Sequence, residues 1–316
     1  MRRESMKIGD LLKKYNLLVL LVVFIVISAI LSPNFLKIGN ILNLLQQASI
    51  PGIVAMGMTI VILLGGIDLS VGSVAAFSGM ICAILVSKNV PIIISIVVAV
   101  ALGGCLGLIT GILIARFNLP DFIASLAMME IGRGAALLTT QGVPIFGLPS
   151  EFKFIGGGFV LGRVSVSGLI WIALTIIFAL ILKYTSYGRS LYAIGGNKEA
   201  ATLSGIKTRR NYAFAYMISG LLAGFAGVLT ASWLSTGQPT AGDGMELDAI
   251  AASVIGGASL SGGMGTVIGT FGGVFLLQII TNIFNLVGLA SFYQQIAKGM
   301  IIIAALLLNN VIDSRK

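Results

Sequence analysis

Histidine is absent from the 316 residues. That removes His-based acid–base catalysis, zinc sites of the HExxH kind and His-ligated haem from the functions open to the chain. Cysteine occurs twice, as Cys82 and Cys105. Both lie in apolar stretches without metal-ligand spacing, so they read as small core residues, and a disulfide needs their two spans to meet. No G-x-x-x-x-G-K-[ST] stretch is present, so the chain has no P-loop with which to hydrolyse ATP itself. No nucleophile–base pair is recognisable, which argues against an intramembrane enzyme. No cofactor and no metal are expected. Charged residues make up 10% of the chain, where about 25% is usual. A soluble fold of this size cannot cover its core with so little polar surface.

What fills the sequence instead is apolar: 57% of residues are hydrophobic, against about 45–50% in soluble domains. Runs near 20 residues long read as membrane spans. The first is 17–31; a basic N-terminus precedes it, but no A-x-A-type cleavage site follows, which favours a retained span over a signal peptide. The others fall near 41–64, 70–87, 92–115, 120–140, 167–183, 211–234, 247–258, 264–286 and 292–309. The expected fold is all-α and polytopic, with about ten transmembrane helices forming one membrane domain over 1–316. Charge tests the topology. With the N-terminus inside, inner segments carry fourteen of the twenty Lys and Arg residues and outer segments four, while Arg133 and Lys298 fall within spans. That bias obeys the positive-inside rule with both termini cytoplasmic. The net charge of +9 then reflects orientation, and no nucleic-acid partner is needed.

Glycine numbers 41, well above an average near 7%. Gly103, Gly107 and Gly111 are spaced by four in the fourth span, as are Gly265, Gly269 and Gly273 in the ninth. Small residues at this spacing let membrane helices approach closely. Triplets five spans apart point to two five-helix halves in inverted orientation, a plan common in transporters. Two interruptions match that plan. Leu64 to Gly72 breaks the apolar pattern with glycines and Asp68, and Gly242 to Asp248 does so in the second half. Asp248 reads as a helix cap. For Asp68, capping and a role at membrane depth both stand, because a carboxylate there costs roughly 2.5–3.5 kcal/mol on insertion scales. Glu130 and Arg133, three apart, read as a mutually neutralising pair.

Amides form a third signal. Gln278, Asn282 and Asn285 fall on one face of the ninth span, and Asn43, Gln46 and Gln47 cluster where the second begins. Uncharged amides that donate and accept suit a hydroxyl-rich solute along a translocation pathway. The same residues also serve as interhelical glue.

The longest basic inner loop, about 184–210, contains Asn197-Lys198-Glu199-Ala200-Ala201-Thr202-Leu203-Ser204-Gly205. Asn197 is placed to cap a short helix and Gly205 to stop it. Such a helix either lies on the lipid surface or docks a cytoplasmic partner. Glu199, Ala200 and Ala201 followed by Gly205 resemble the E-A-A-x-x-x-G loop by which ABC importer permeases engage their ATPases. Gly66-Ile67-Asp68-Leu69-Ser70-Val71-Gly72-Ser73, Ile194-Gly195-Gly196-Asn197, Gln238-Pro239-Thr240-Ala241-Gly242 and Glu246-Leu247-Asp248-Ala249-Ile250-Ala251-Ala252 resemble the ribose-type sugar permease family. This likeness runs in order through nearly the whole chain. It implies a permease subunit in the bacterial cytoplasmic (inner) membrane. It also implies a homodimer embedded in membrane lipid, a separate cytoplasmic ABC ATPase subunit that docks at the loop, and an extracytoplasmic sugar-binding protein. The pathway would lie between the two copies, near Asp68, and open alternately to each side. The rival reading is a proton-coupled secondary transporter of a small polar solute, with Asp68 or Glu130 as the coupling carboxylate.

Overall fold

The computed structural model describes residues 16–160, 162–290, 292–300 and 303. In chain order the helices are α1 (Asn16–Leu31), α2 (Ile38–Leu63), α3 (Val71–Ser87), α4 (Ile92–Phe117), α5 (Asp121–Leu138) and α6 (Ser150–Gly157). They continue as α7 (Val166–Tyr184), α8 (Ser186–Gly196), α9 (Lys198–Leu203), α10 (Thr208–Leu234), α11 (Met245–Ile255) and α12 (Val267–Val287). A helical stretch at 292–300 follows. Helices dominate because an apolar surround forces each segment to satisfy its own backbone N–H and C=O groups. Among the described residues, α2, α4, α7, α10 and α12 are long and apolar enough to cross a membrane, while α1 and α3 are shorter apolar helices. Of the remaining expected spans, α5 is 18 residues long and α11 only 11. The later part of the expected tenth span lies outside the described residues.

Two helices organise the core. Most of α2 is buried, and its neighbours include α7, α10, α11 and α12. Trp171 of α7 packs flat over Gly52 of α2 and stacks on Phe271 of α12 with centroids 4.2 Å apart. The other organiser, α10, packs along α4. A Cβ at Gly107 would run into the carbonyl of Tyr216, and one at Gly220 into that of Gly103. Glycine here lets two backbones touch, as the spacing in the fourth span anticipated. The second triplet is only partly a helix face: Gly265 lies in the loop before α12, and Gly269 and Gly273 press on Gly256 and Ala252 at the α11 side. The outward faces of α1, α4 and α7 expose residues such as Val22, Ile93 and Ile176, as a lipid-facing surface does.

Each organiser is followed by a break and a shorter helix. After α2 the chain turns through 64–70 and restarts as α3. After α10, Ser235 takes a left-handed conformation (φ 52°) and the chain runs through 235–244 before α11. The starts of α3 and α11 meet, with the Gly242 carbonyl and the Glu246 carboxylate filling the space beside Gly72. One departure from an all-helical chain is a two-stranded antiparallel hairpin, β1 (Phe159–Val160) with β2 (Val164–Ser165). Together with α6 it occupies a stretch without strong hydrophobic periodicity, which offers no periodic signal to read. Cys82 is buried, Cys105 exposed, and both are free.

Candidate functional site

The short helix in the basic loop is built from local chemistry. Asn197 adopts an extended backbone, and its side-chain oxygen accepts from the Ala200 N–H at 2.9 Å, which starts α9. At the other end Gly205 has φ +83°, its N–H donates to the Thr202 carbonyl at 3.0 Å, and the Ile206 N–H donates to that of Ala201 at 3.1 Å. This reciprocal pair is a Schellman stop, and the left-handed residue in it favours glycine. Both ends are as the sequence predicts. Ala201 is buried and anchors the helix with Ile206 against the core, whereas Glu199 and Ala200 are exposed. Leu203 is 90% exposed. A single exposed apolar residue is ordinary; this one lies beside the exposed Glu199 and Ala200 on the same short helix. Sequence reading passed over it, although an apolar residue in a polar loop was the available signal.

Behind α9, the preceding helix α8 is clamped to the membrane helices. A Cβ at Gly195 would collide with the Leu63 carbonyl at the end of α2 and with the Gly263 amide. The Gly263 N–H donates to the same Leu63 carbonyl at 3.0 Å, and the Tyr192 hydroxyl donates to the Gly265 carbonyl at 2.8 Å. The helix pair is therefore joined directly to the end of α2 and the loop ahead of α12.

From Leu63 the chain enters the first break. Asp68 is 1% exposed. One carboxylate oxygen accepts from the Ser70 N–H (3.0 Å) and hydroxyl (2.6 Å), and the other from the Ser219 hydroxyl of α10 (2.8 Å). It thus closes the turn before α3 and ties that turn to α10. Further side chains hold the same backbone. Tyr212 donates to the Leu64 carbonyl (3.0 Å), Tyr216 and Ser125 to the Ile67 carbonyl (3.1 and 3.2 Å), and Asp121 accepts from the Ile67 N–H (2.7 Å).

Elsewhere the partners differ from the sequence expectations. Asp248 does not cap a helix: it is the fourth residue of α11, whose cap position is Gly244, and it pairs with Lys298 at 2.8 Å. The pair borders a small pocket of about 30 Å³ with Gln278, Thr281 and Pro51. Nor does Arg133 pair with Glu130. Its guanidinium donates to the carbonyls of Pro239 (2.8 Å) and Ala241 (2.9 Å), which lie in the second break, and Glu130 is exposed.

The amides meet across helices. Asn282 and Asn40 exchange two hydrogen bonds of 3.0 Å, Gln278 donates to Gln47 at 2.9 Å, and Asn285 accepts from Gln294 at 2.8 Å. The α12 stripe therefore faces α2 and the 292–300 helix. Gln46 is buried in α2, while Asn43 is exposed and borders a separate hollow with Arg163 and Phe159. Asn40, not its neighbour in the predicted cluster, supplies the partner for Asn282. The site residues thus fall at α9, in the first break and along the α2–α12 seam, with Asn43 apart from them at the Arg163 hollow.

A family model described as branched-chain amino acid transport system / permease component matches residues 40–306. The chain is 43% identical over 320 residues to the ribose import permease protein RbsC of Haemophilus influenzae, covering 99% of this chain and 98% of that one. Against the protein of the same name in Bacillus subtilis it is 43% identical, covering 92% and 90%. The L-arabinose ABC transporter permease protein AraH of Azospirillum brasilense is 38% identical, covering 91% and 86%. No solved structure matches the chain. With a family match over most of its length and identities of this order, the chain belongs to the ribose-type sugar ABC transporter permease family.

Proposed function

We propose that this chain is the membrane-spanning permease subunit of an ABC importer that carries a monosaccharide, ribose or a related sugar, across the bacterial cytoplasmic membrane. The relatives named for ribose and arabinose transport support the substrate class. The observation that carries the reading is the α9 socket: a six-residue helix capped at both ends, with Glu199, Ala200 and Leu203 turned outward. A separate cytoplasmic ABC ATPase docks there, and an extracytoplasmic sugar-binding protein delivers solute at the opposite mouth. The permease works as a homodimer with both termini cytoplasmic and the route between its copies.

ATP-driven closure of the ATPase pair pushes α9, and the clamp at Gly195 passes that displacement to Leu63 and Gly263. Those backbones lead into the break at Asp68 and into α12, so the push reaches elements beside the route and alternates its opening. The long helix, break and short helix repeated at α2–α3 and α10–α11 support inverted halves. We assign Asp68 to bracing the route, and Gln46, Gln47, Gln278, Asn282 and Asn285 to setting the helices beside it, with Asn43 at its mouth.

The test is co-purification in mild detergent followed by reconstitution. The wild-type chain should bring down an ATPase in near-equal amount. Glu199→Arg with Gly205→Trp should abolish that association while membrane insertion persists, because one change reverses a charge and the other puts a side chain at φ +83°. Retained association would sink the docking assignment. Uptake by the chain alone, lost on collapsing the proton gradient, would favour a proton-coupled carrier instead.

A further inference from the structure

The end of the molecule that carries α8 and α9 holds a cavity of about 750 Å³ beside the proposed docking helix, bordered by Gly205 and Ile206 at its stop. Its two sides differ in chemistry. Phe178 and Ile181 of α7 with Phe214 and Ile218 of α10 form an apolar wall that continues onto the outward faces of two span-length helices. At the rim stand Lys207 and Arg210, both exposed, with Ser186 and Asn211. No Asp or Glu lines the cavity, and neither cation has a carboxylate partner among the described residues. The Arg210 guanidinium rests over the Phe214 ring at 5.2 Å, a contact that orients the plane and leaves its N–H edge free.

We propose that this cavity binds an anionic phospholipid of the adjoining leaflet. Its phosphate is held by Lys207 and Arg210, and an acyl chain lies against Phe178, Ile181, Phe214 and Ile218. Basic pockets between membrane helices recognise such headgroups, and a flat interfacial charge does not account for an apolar wall beneath the cations. The opposite hollow, about 450 Å³ beside Asn43 and Phe159, has Arg163 as its one cation and makes an internal comparison. The inference needs the chain to sit in a bilayer and is independent of which solute it carries.

Native mass spectrometry of the assembled permease tests it, with phosphatidylglycerol and phosphatidylcholine of matched chains offered in equal amounts. Wild-type protein should retain phosphatidylglycerol selectively. Lys207→Gln with Arg210→Gln should cut that retention by roughly five-fold per cation, since each basic side chain near the surface is worth about 1 kcal/mol. Arg163→Gln should leave it unchanged. If the double variant fails to insert, Lys207→Gln alone should still show roughly the five-fold loss. Equal retention of the two lipids, or undiminished phosphatidylglycerol in the variants, would overturn the site. Displacement by millimolar inorganic phosphate, or equally tight binding of the chain-free headgroup glycerophosphoglycerol, would make it a free-anion site and overturn the lipid assignment.

Discussion

The two breaks in the membrane helices, 64–70 after α2 and 235–244 after α10, each follow a long core helix and precede a shorter one, and they are held in different ways. In the first, Asp68 gathers three donors, and Tyr212, Tyr216, Ser125 and Asp121 bind the surrounding backbone. The second is held by one guanidinium, Arg133 on Pro239 and Ala241, and by backbone hydrogen bonds between Ile145 and Gly237. Asp68 is buried, whereas Asp243 is exposed. An interrupted helix needs its freed backbone groups satisfied again, and more side-chain anchors do this more firmly than fewer. The first break is therefore a fixed strut joined through Leu63 to the α8–α9 pair. The second, with fewer side-chain anchors, is expected to open more easily than the first.

The largest effect should follow from removing the hub of the first break. Asp68→Ala leaves the Ser70 N–H and the Ser70 and Ser219 hydroxyls without their acceptor, at about 1–3 kcal/mol for each buried group left unpaired. Little monodisperse protein should survive detergent extraction, and what does should melt at lower temperature in a fluorescence-detected size-exclusion assay. Wild-type yield and melting would remove the contrast between the breaks at its root.

Arg133→Met comes next. It keeps the aliphatic stem and deletes both hydrogen bonds to the second break; bonds to a charged group are worth about 1.5–3 kcal/mol. Hydrogen exchange at 238–244 should accelerate by roughly ten-fold or more, with 64–70 unchanged. Acceleration in both breaks would show that they open as one unit.

Much of this architecture was open to a reader of the sequence, for reasons that differ by element. Apolar runs announce helices because the bilayer leaves a segment few other states. The ends of α9 were legible because Asn197 and Gly205 act on backbone groups within three or four residues of themselves. What sequence could not supply is partnership at a distance. Asp248 finds Lys298, which is 50 residues away, and Arg133 reaches carbonyls 106 and 108 residues away in preference to a carboxylate three residues off. Carbonyl acceptors carry no side-chain signal, so the motif that contains Pro239 and Ala241 did not show that they would hold Arg133. The amide stripe was visible as a stripe, but its partners Asn40 and Gln294 depended on helix rotation and approach. Gly265 has the right spacing for a helix face yet falls two residues before α12 begins.

The smallest expected effect is the sharpest test of redundancy. Tyr216→Phe removes one hydroxyl from the first break and keeps the buried ring that packs with Val61, Ile114 and Ala124. Deleting one hydrogen bond costs about 1 kcal/mol, which allows at most roughly a five-fold rise in exchange at 64–70. The Ile67 carbonyl retains the Ser125 hydroxyl as a donor, and Asp68 keeps all three of its own, so the rise should fall below that bound. It should also stay below the change at 238–244 in Arg133→Met. If Tyr216→Phe loosened its break as much as Arg133→Met loosens the other, the several anchors around Asp68 would act as a single chain that fails at any link. The asymmetry between the breaks would then lie in which residues hold them, and not in how firmly they are held.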